Sequence, residues 1–386
     1  MPRHFSDAEY GERLSAAVAR LQAEDLDGLL MFAPESHYWI CGYDTFGFAL
    51  FQCLVLTRDG ELHLLTRAPD LRQAQQTSTL TDDQIHVWRD VEGVNPADAL
   101  AALAEDLGLS GGRIGIETKT AGLTGFDSDR VRKAFHGRAE LQEASELIPS
   151  LRRVKSAAEI ACCRRAAALS DQALDAALET TAPGAFEGDI LAAMQGAVFH
   201  GGGDYAGNEF IIGSGPAALL CRYASGRRML ENRDQITLEW SGAWRRYHAA
   251  MMRTIVVGPA NDTQKRMHAA CVEALEACEA ALKPGHPMGD VFTAHARVFD
   301  AHGLSHARLN ACGYGMGIAY NPIWVNFPMF YDGNPLPMEV GNVFFLHMIL
   351  MDSDANLAMC LGHCLLITPN GAERLSTHEL DLINIA

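Results

Sequence analysis

The sequence of 386 residues lacks several features that would restrict its class. No apolar run approaches the ~20 residues that a membrane-spanning helix requires, and Met1–Phe5 leads straight into a helical pattern without an apolar signal region. Basic residues are in deficit, since 31 Lys and Arg stand against 48 Asp and Glu, for a net charge of −17. This balance argues against a nucleic-acid backbone or an anionic membrane as the main partner. We therefore expect a cytoplasmic protein that binds neither nucleic acid nor membrane.

Common cofactor motifs are also missing. The ten cysteines include no CxxC pair, and free thiols in a reducing cytosol are the expected state. Cys360 and Cys364 are better explained by core packing than by metal binding. The glycine-rich stretches Gly201–Asp204 and Gly213–Pro216 match no phosphate loop, because no Lys-Ser/Thr follows them. No GxSxG nucleophile elbow is present either, which removes the esterase interpretation.

The pattern along the chain predicts two domains. Residues 1–150 alternate helical and strand-like segments, which indicates a mixed α/β domain with helices covering a sheet. Pro149 and a capping box formed by Ser156 and Glu159 then mark a boundary before a long helix. Residues 151–386 add helices, a central pair of strands and a final strand pair, and we predict that they form the second domain.

Five segments of this second part resemble, in order, the motifs of a known family. They are SLRRVKSAAEI (150–160), QITLEWSGAWRRYHAAMMRTIVVG (235–258), GYGMGI (313–318), VFFLHMIL (343–350) and LGHCLLITPNGAERLS (361–376). They look like the interdomain signature, central hairpin, GHGIG turn and final strand pair of the pita-bread family of creatinase, prolidase and methionine aminopeptidase. The resemblance covers essentially the whole chain. It implies an α+β fold, with a creatinase-type mixed α/β N-terminal domain and a pita-bread C-terminal domain.

Metal-dependent members of that family hold two divalent ions with two Asp, one His and two Glu, a donor set that suits carboxylate-bridged cations. Carried over by position, four of these ligands are replaced here, by Ala250, Tyr314, His347 and Gly362. The fifth is either Glu239 or Trp240, because the hairpin turn looks one residue shorter, and one residue decides which face a side chain takes.

Too few carboxylates remain for two cations, so we predict a metal-free site and no cofactor. A rebuilt mononuclear site from Glu239, His248 and His347 is the alternative on ligand type.

Within the family, the chain most resembles ectoine hydrolase and creatinase, which bind a small zwitterion and cleave a C–N bond without a metal. The resemblance implies that Glu239 is the nucleophile or general base, that His248 carries a proton, and that His347 is a further catalytic residue. The relatives place a catalytic His about seventeen residues before the hairpin Glu. Here Arg222 stands at that place, and a guanidinium binds a carboxylate but does not act as a base.

The predicted substrate-binding residues are Arg222, Tyr314, Trp240, Tyr43 and Asp44. Tyr43 and Asp44 lie in GYDTFGFALFQ (42–52), which is similar to an N-terminal segment of ectoine hydrolase, and the family implies a homodimer in which this domain reaches the partner's pocket. Structural roles compete with each of these assignments. Aromatic core is the default for Trp240 and Trp324, and an Asp in a GYD turn often satisfies backbone groups.

We therefore predict a metal-independent hydrolase that acts on a C–N bond of a small zwitterionic amidine, guanidine or cyclic amide. A dipeptidase for Xaa-Pro substrates with a remodelled metal site, and a family member that binds a small molecule without catalysis, are the alternatives.

Overall fold

The structure, a computed structural model, describes residues 3–222 and 226–386. The chain divides into two compact units, Met1–Arg152 and Arg153–Ala386. In the described residues no helix is long and apolar enough to cross a membrane. The ten cysteines all lie within the described residues and form no disulfide bond there.

The first unit is built from helices packed on one mixed sheet. Its helices are α1 (Asp7–Ala23), α2 (Pro34–Cys41), α3 (Leu71–Thr77), α4 (Pro96–Asp106), α5 (Gly125–Phe135) and α6 (Leu147–Arg152). Its strands are β1 (Gly28–Met31), β2 (Cys53–Thr57), β3 (Leu62–Arg67), β4 (Ile85–Trp88), β5 (Arg113–Ile116) and β6 (Glu140–Glu143). The six strands take the order β4-β3-β2-β1-β5-β6. Leu100 of α4 and Val131 of α5 pack with the apolar side chains of β1, β2 and β5 to form one core.

The second unit joins four long helices to a nine-stranded sheet. The helices are α7 (Ala157–Thr180), α8 (Glu187–His200), α9 (Asp262–Ala281) and α10 (Gly289–Ala301). The strands are β7 (Ile211–Ser214), β8 (Asp234–Trp244), β9 (Tyr247–Val257), β10 (Ala311–Gly315), β11 (Asn326–Tyr331), β12 (Val343–Asp352), β13 (Leu357–Thr368), β14 (Gly371–Arg374) and β15 (Ile383–Ile385). The main order is β11-β10-β12-β13-β9-β8-β7, with β14 paired to β13 and β15 to β9.

The start of α7 shows why the sequence folds this way locally. The Ser156 hydroxyl accepts a hydrogen bond from the backbone N–H of Glu159, and the Glu159 carboxylate accepts one from the backbone N–H of Ser156. The predicted capping box is therefore confirmed, and it satisfies two donors that a helix end otherwise leaves unpaired. The Glu159 carboxylate also accepts a hydrogen bond of 2.5 Å from the hydroxyl of Tyr247, which ties the helix to the start of β9.

Helix α9 and the final strand pair form a second core. Cys271, Leu275 and Cys278 of α9 are fully buried with Met348 of β12 and Met359 of β13. The cysteines therefore behave as small apolar side chains here. This packing covers one face of the sheet at β12 and β13.

Candidate active site

The hairpin β8–β9 places neighbouring residues on opposite faces of the sheet. Its register pairs Glu239 with Met252 and Trp240 with Met251. Trp240 is fully buried, and its indole Nε1–H donates a 3.0 Å hydrogen bond to the carbonyl of Ser170 in α7. Because successive side chains alternate across a strand, Glu239 lies on the face away from α7. Trp240 is thus a core residue under the helix, which corrects its predicted role in substrate binding.

Glu239 belongs to a row of residues that crosses five strands. Direct cross-strand pairing links Ile211 to Glu239, Glu239 to Met252, Met252 to Gly362, and Gly362 to His347. Directly paired residues share a face, with Cβ atoms about 4.5–5.5 Å apart. We call this surface the Glu239 face. The register thereby brings Glu239 and His347 to one surface although they lie far apart in the sequence.

Two aromatic side chains complete the surroundings of Glu239. The hydroxyl of Tyr314 donates a 3.4 Å hydrogen bond to Oε1 of Glu239, and Tyr314 Oη accepts a 2.9 Å bond from the indole N–H of Trp324. The Tyr314 ring also lies against His347, with centroids 5.6 Å apart. Trp324 was not among the predicted site residues, because aromatic core was the default interpretation for it. A tryptophan shortly after GYGMGI is the only sequence signal for it, and that signal does not distinguish a core residue from one that contacts the site.

Burial shifts the pKa of both ionisable groups in this row, Glu239 and His347, so that the neutral form of each is favoured. The pKa of Glu239 is raised to about 7, mainly because burial disfavours the carboxylate, while Arg222 and the Tyr314 hydrogen bond act in the opposite direction. The pKa of His347 is lowered to about 4 by burial, and Arg222 lowers it further. Arg222 is exposed, yet its charge reaches both groups. The structure therefore brings four predicted site residues together: Glu239, His347, Tyr314 and Arg222.

His347 also carries an unused hydrogen-bonding atom. The side chain is 7% exposed, and in the described part of the chain its Nδ1 has no hydrogen-bond partner. A buried imidazole nitrogen without a partner is costly. Since it lies on the Glu239 face, it is available to a ligand bound there.

His248 has a different environment. It is fully buried, its Nδ1 lies 2.8 Å from the carbonyl of Arg246, and its Nε2 lies 2.9 Å from the backbone N–H of Gly207. The first contact requires Nδ1–H as donor and the second requires Nε2 as acceptor, so the ring is the neutral Nδ1–H tautomer. Burial accordingly lowers its pKa to about 4. Both ring nitrogens are committed to backbone groups, so this geometry does not support the predicted role of His248 as a proton carrier.

The two predicted residues of the first unit are also committed locally. Tyr43 is 1% exposed, stacks on His37 and has its hydroxyl 3.2 Å from the side-chain oxygen of Gln52. The half-buried Asp44 uses its carbonyl to accept a 2.7 Å bond from the Gln73 side chain. Tyr43 thus presents no surface to a substrate or a partner subunit, which corrects that prediction.

The residues at the family's metal positions do not fit a dinuclear centre. Ala250 and Gly362 offer no side-chain donor, and the Tyr314 hydroxyl is bonded to Glu239 and Trp324. Position 362 also has no room for a side chain, because an added Cβ would lie 2.5 Å from the Leu346 carbonyl oxygen. Across residues 3–222 and 226–386, no group of three His, Cys, Asp or Glu is placed to hold a metal ion. The mononuclear alternative also loses a ligand, because His248 is committed elsewhere.

Family comparison agrees with this two-unit architecture. Residues 161–369 match the model of metallopeptidase family M24, and residues 13–154 match the creatinase/prolidase N-terminal domain. A two-domain protein of the pita-bread class is therefore defined by fold and sequence together, which confirms the α+β prediction. The chain belongs to metallopeptidase family M24.

Individual relatives include both hydrolases and prolidases. An uncharacterized hydrolase/peptidase of Sinorhizobium fredii, y4tM, is 29% identical, with 98% of each chain covered. Ectoine hydrolase of Halomonas elongata is 26% identical, with 96% of each chain covered. A prolidase from Thermococcus sibiricus has a TM-score of 0.87 at 19% identity, covering 97% of this chain and 99% of its own, which shows the shared fold. These relatives support a hydrolase of this family.

Proposed function

We propose that this chain is a metal-independent hydrolase that cleaves a C–N bond of a small zwitterionic amidine, guanidine or cyclic amide. One observation carries the proposal: the Glu239 face keeps a carboxylate, while the metal positions 250 and 362 carry no donor side chain. The 26% identity to ectoine hydrolase over nearly the whole chain supports the same reaction class.

The chemistry needs no metal because an amidinium or guanidinium carbon is already electrophilic. Glu239, with its pKa raised to about 7 by burial, is poised to take a proton from water near neutral pH. The water oxygen forms a bond to the carbon, and its proton moves to the carboxylate. The protonated Glu239 then returns that proton to the leaving nitrogen as the C–N bond breaks. One carboxyl group thereby serves both steps, which removes the need for His248.

Two further residues are assigned to binding. His347 presents an unpartnered Nδ1 on the same face, and its pKa, lowered to about 4 by burial, keeps it neutral at pH 7. We assign it to a hydrogen bond with the substrate. The exposed Arg222 guanidinium, whose charge acts on both Glu239 and His347, is assigned to the substrate carboxylate.

Metal analysis and a substrate panel test the proposal together. Purified protein treated with a chelator is assayed on cyclic amidines, guanidino acids, cyclic amides and Xaa-Pro dipeptides. We expect turnover of a compound from the first three groups, unchanged by chelator, with less than stoichiometric metal by elemental analysis. Stoichiometric Mn, Co or Zn with chelator-sensitive cleavage of Xaa-Pro would instead establish the dipeptidase alternative. Saturable binding without turnover of any compound would establish a non-catalytic binder.

The homodimer that the family resemblance implies is also part of the proposal. Tyr43 is buried, but Phe46 of the same segment is 72% exposed, so an apolar side chain is available there. Light scattering on the purified chain tests it, and a monomer at micromolar concentration would exclude it.

A further inference from the structure

A chain of hydrogen bonds leads from the core to the carboxylate of Glu239. The indole N–H of Trp324 donates to Tyr314 Oη at 2.9 Å, and the Tyr314 hydroxyl donates to Glu239 Oε1 at 3.4 Å. We infer that Trp324 is a positioning residue, which fixes the direction of the Tyr314 hydroxyl so that its single hydrogen points at Glu239. This inference rests on the proposed role of Glu239.

The donor inventory fixes the direction of this chain whenever Glu239 is ionised. An indole nitrogen only donates, whereas a phenol has one hydrogen to donate and lone pairs to accept with. Once Tyr314 accepts from Trp324, its own hydrogen is left for the carboxylate. Trp324 is 1% exposed and Tyr314 is 6% exposed, so bulk water does not compete for these groups. Removal of the indole N–H would leave Tyr314 free to reorient.

Trp324 is itself held by a segment that His248 anchors. The Asn208 side-chain oxygen lies 3.4 Å from the backbone nitrogen of Trp324. At Gly207 an added Cβ would lie 3.0 Å from the backbone of Ile323, so the two segments are in close contact. The N–H of Gly207 in turn donates to Nε2 of His248 at 2.9 Å. His248, Gly207, Asn208 and Trp324 thus form one series of contacts, in which His248 has a structural role.

The consequence of this arrangement is electrostatic. The Tyr314 hydrogen bond lowers the pKa of Glu239 against the larger effect of burial. If the hydroxyl turns away, the carboxyl loses its fixed donor and holds its proton to higher pH. Less of the base is then ionised at neutral pH.

The test is a direct titration of Glu239 without substrate. Protein labelled with ¹³C in the glutamate carboxyl groups is followed by NMR against pH, and the Glu239 signal is identified by its loss in Glu239→Gln. We expect Tyr314→Phe to raise the pKa of Glu239 by about one pH unit. We expect Trp324→Phe to raise the pKa of Glu239 by the same amount or less. The double variant should have the same Glu239 pKa as Tyr314→Phe alone.

Trp88→Phe is the matched control. It also removes an indole N–H that donates to a protein oxygen, the Phe51 carbonyl at 3.0 Å, but it lies in the first unit. We expect it to leave the Glu239 titration unchanged. If Trp324→Phe does not fold, replacement of Trp324 by benzothienylalanine keeps the bicyclic shape without the N–H and carries the same expectation.

An unshifted Glu239 titration in a folded Trp324 variant would overturn the inference, as would effects of Trp324→Phe and Tyr314→Phe that simply add. The titration needs no turnover. A shifted titration in a protein that hydrolyses nothing would therefore reject the proposed function and keep the positioning role. A discovered substrate with an unshifted titration would do the reverse.

Discussion

A half-buried glutamate and a fully buried histidine on one hairpin have very different hydrogen-bonding environments. Glu239 on β8 and His248 on β9 lie on the same face, since His248 pairs with Ala243, four residues after Glu239. His248 has both ring nitrogens bonded to backbone at 2.8 and 2.9 Å. Among the described residues, Glu239 receives one hydrogen bond, of 3.4 Å, from Tyr314. His248 therefore binds the loop backbone at Gly207, whereas the Glu239 carboxylate keeps hydrogen-bonding capacity for a ligand.

Burial alone does not distinguish Glu239, the proposed catalytic residue, from His248. Burial favours the neutral form of both groups: it raises the pKa of Glu239 to about 7 and lowers the pKa of His248 to about 4. The two residues differ in their remaining hydrogen-bonding capacity: His248 has none left, whereas the Glu239 carboxylate can accept further hydrogen bonds. The following measurements test that distinction.

The largest expected effect is on turnover by Glu239→Gln. The amide keeps the size of the side chain but cannot take a proton from water, so we expect kcat to fall by about 10²–10⁴-fold on any substrate found. Steady-state kinetics give the change. Glu209→Gln, at an exposed position just before β7, is the control and should retain activity. Turnover by Glu239→Gln within a few fold of the wild type would remove Glu239 from catalysis.

His248→Ala should instead cost stability. It removes a fully buried ring and leaves the Gly207 N–H without its acceptor, whereas the Arg246 carbonyl keeps its hydrogen bond from the N–H of Ala319. We expect a loss of about 3 kcal/mol in the free energy of unfolding, measured by urea denaturation. His200→Ala, at an exposed helix end, should change it by less than about 0.5 kcal/mol. A stable His248→Ala protein that has lost turnover would reverse the roles assigned to the two residues.

Gly362→Ala tests whether strand β13 has room for a side chain at position 362. The new methyl group would lie 2.5 Å from the Leu346 carbonyl oxygen and 3.1 Å from the Cα of His347. We expect a destabilisation of about 2 kcal/mol from overpacking. Gly196→Ala is the matched control, because the nearest atom there is 4.0 Å away within α8, and it should be neutral or stabilising. Equal stability for both variants would show that the strands at position 362 have room to spare.

The smallest expected effect is the pH dependence of stability. The pKa of Glu239 is raised from 4.5 to about 7 in the folded chain, mainly by burial, so folding favours its protonated form. Its contribution to stability is complete below about pH 4.5 and is lost as the pH rises through 7. The free energy of unfolding of Glu239→Gln, relative to that of the wild type, should therefore rise by about 1–2 kcal/mol from pH 5 to pH 8, after allowance for the partial exposure of Glu239.

Urea denaturation of both proteins at these two pH values measures the difference. The pKa of His248 is lowered from 6.5 to about 4, so its neutral form contributes stability above pH 6.5 that is lost as the pH falls through 4. Both proteins keep His248, and that contribution cancels. A difference that stays constant from pH 5 to pH 8 would contradict the raised pKa of Glu239.

Long periodic elements of the fold could be predicted from the sequence, while short ones could not. The helix Asp7–Ala23 and the Ser156 cap follow directly from apolar spacing and capping chemistry. The edge strand Asn326–Tyr331 and the three-residue strand Ile383–Ile385 carry too little alternation to stand out. Their existence depends on the strands that they pair with.

The site was predictable in residue type and unpredictable in geometry. Glu239, Arg222 and His347 follow from position within the motifs, and the structure groups them. The choice between Glu239 and Trp240 depended on strand register, which only the pairing across β8 and β9 decides. The roles of Trp324 and His248 depend on Tyr314 and Gly207, partners 10 and 41 residues away along the chain. Nothing local in the sequence encodes those contacts.

Position 362 also bears on how a lineage could change its chemistry. A single codon change that restored a carboxylate there would bring the new side chain against the Leu346 carbonyl before it could meet a cation. A metal centre at this position would need β12 to shift and at least one further donor at position 250 in the same protein. The obstacle is a backbone carbonyl oxygen, which no side-chain substitution removes.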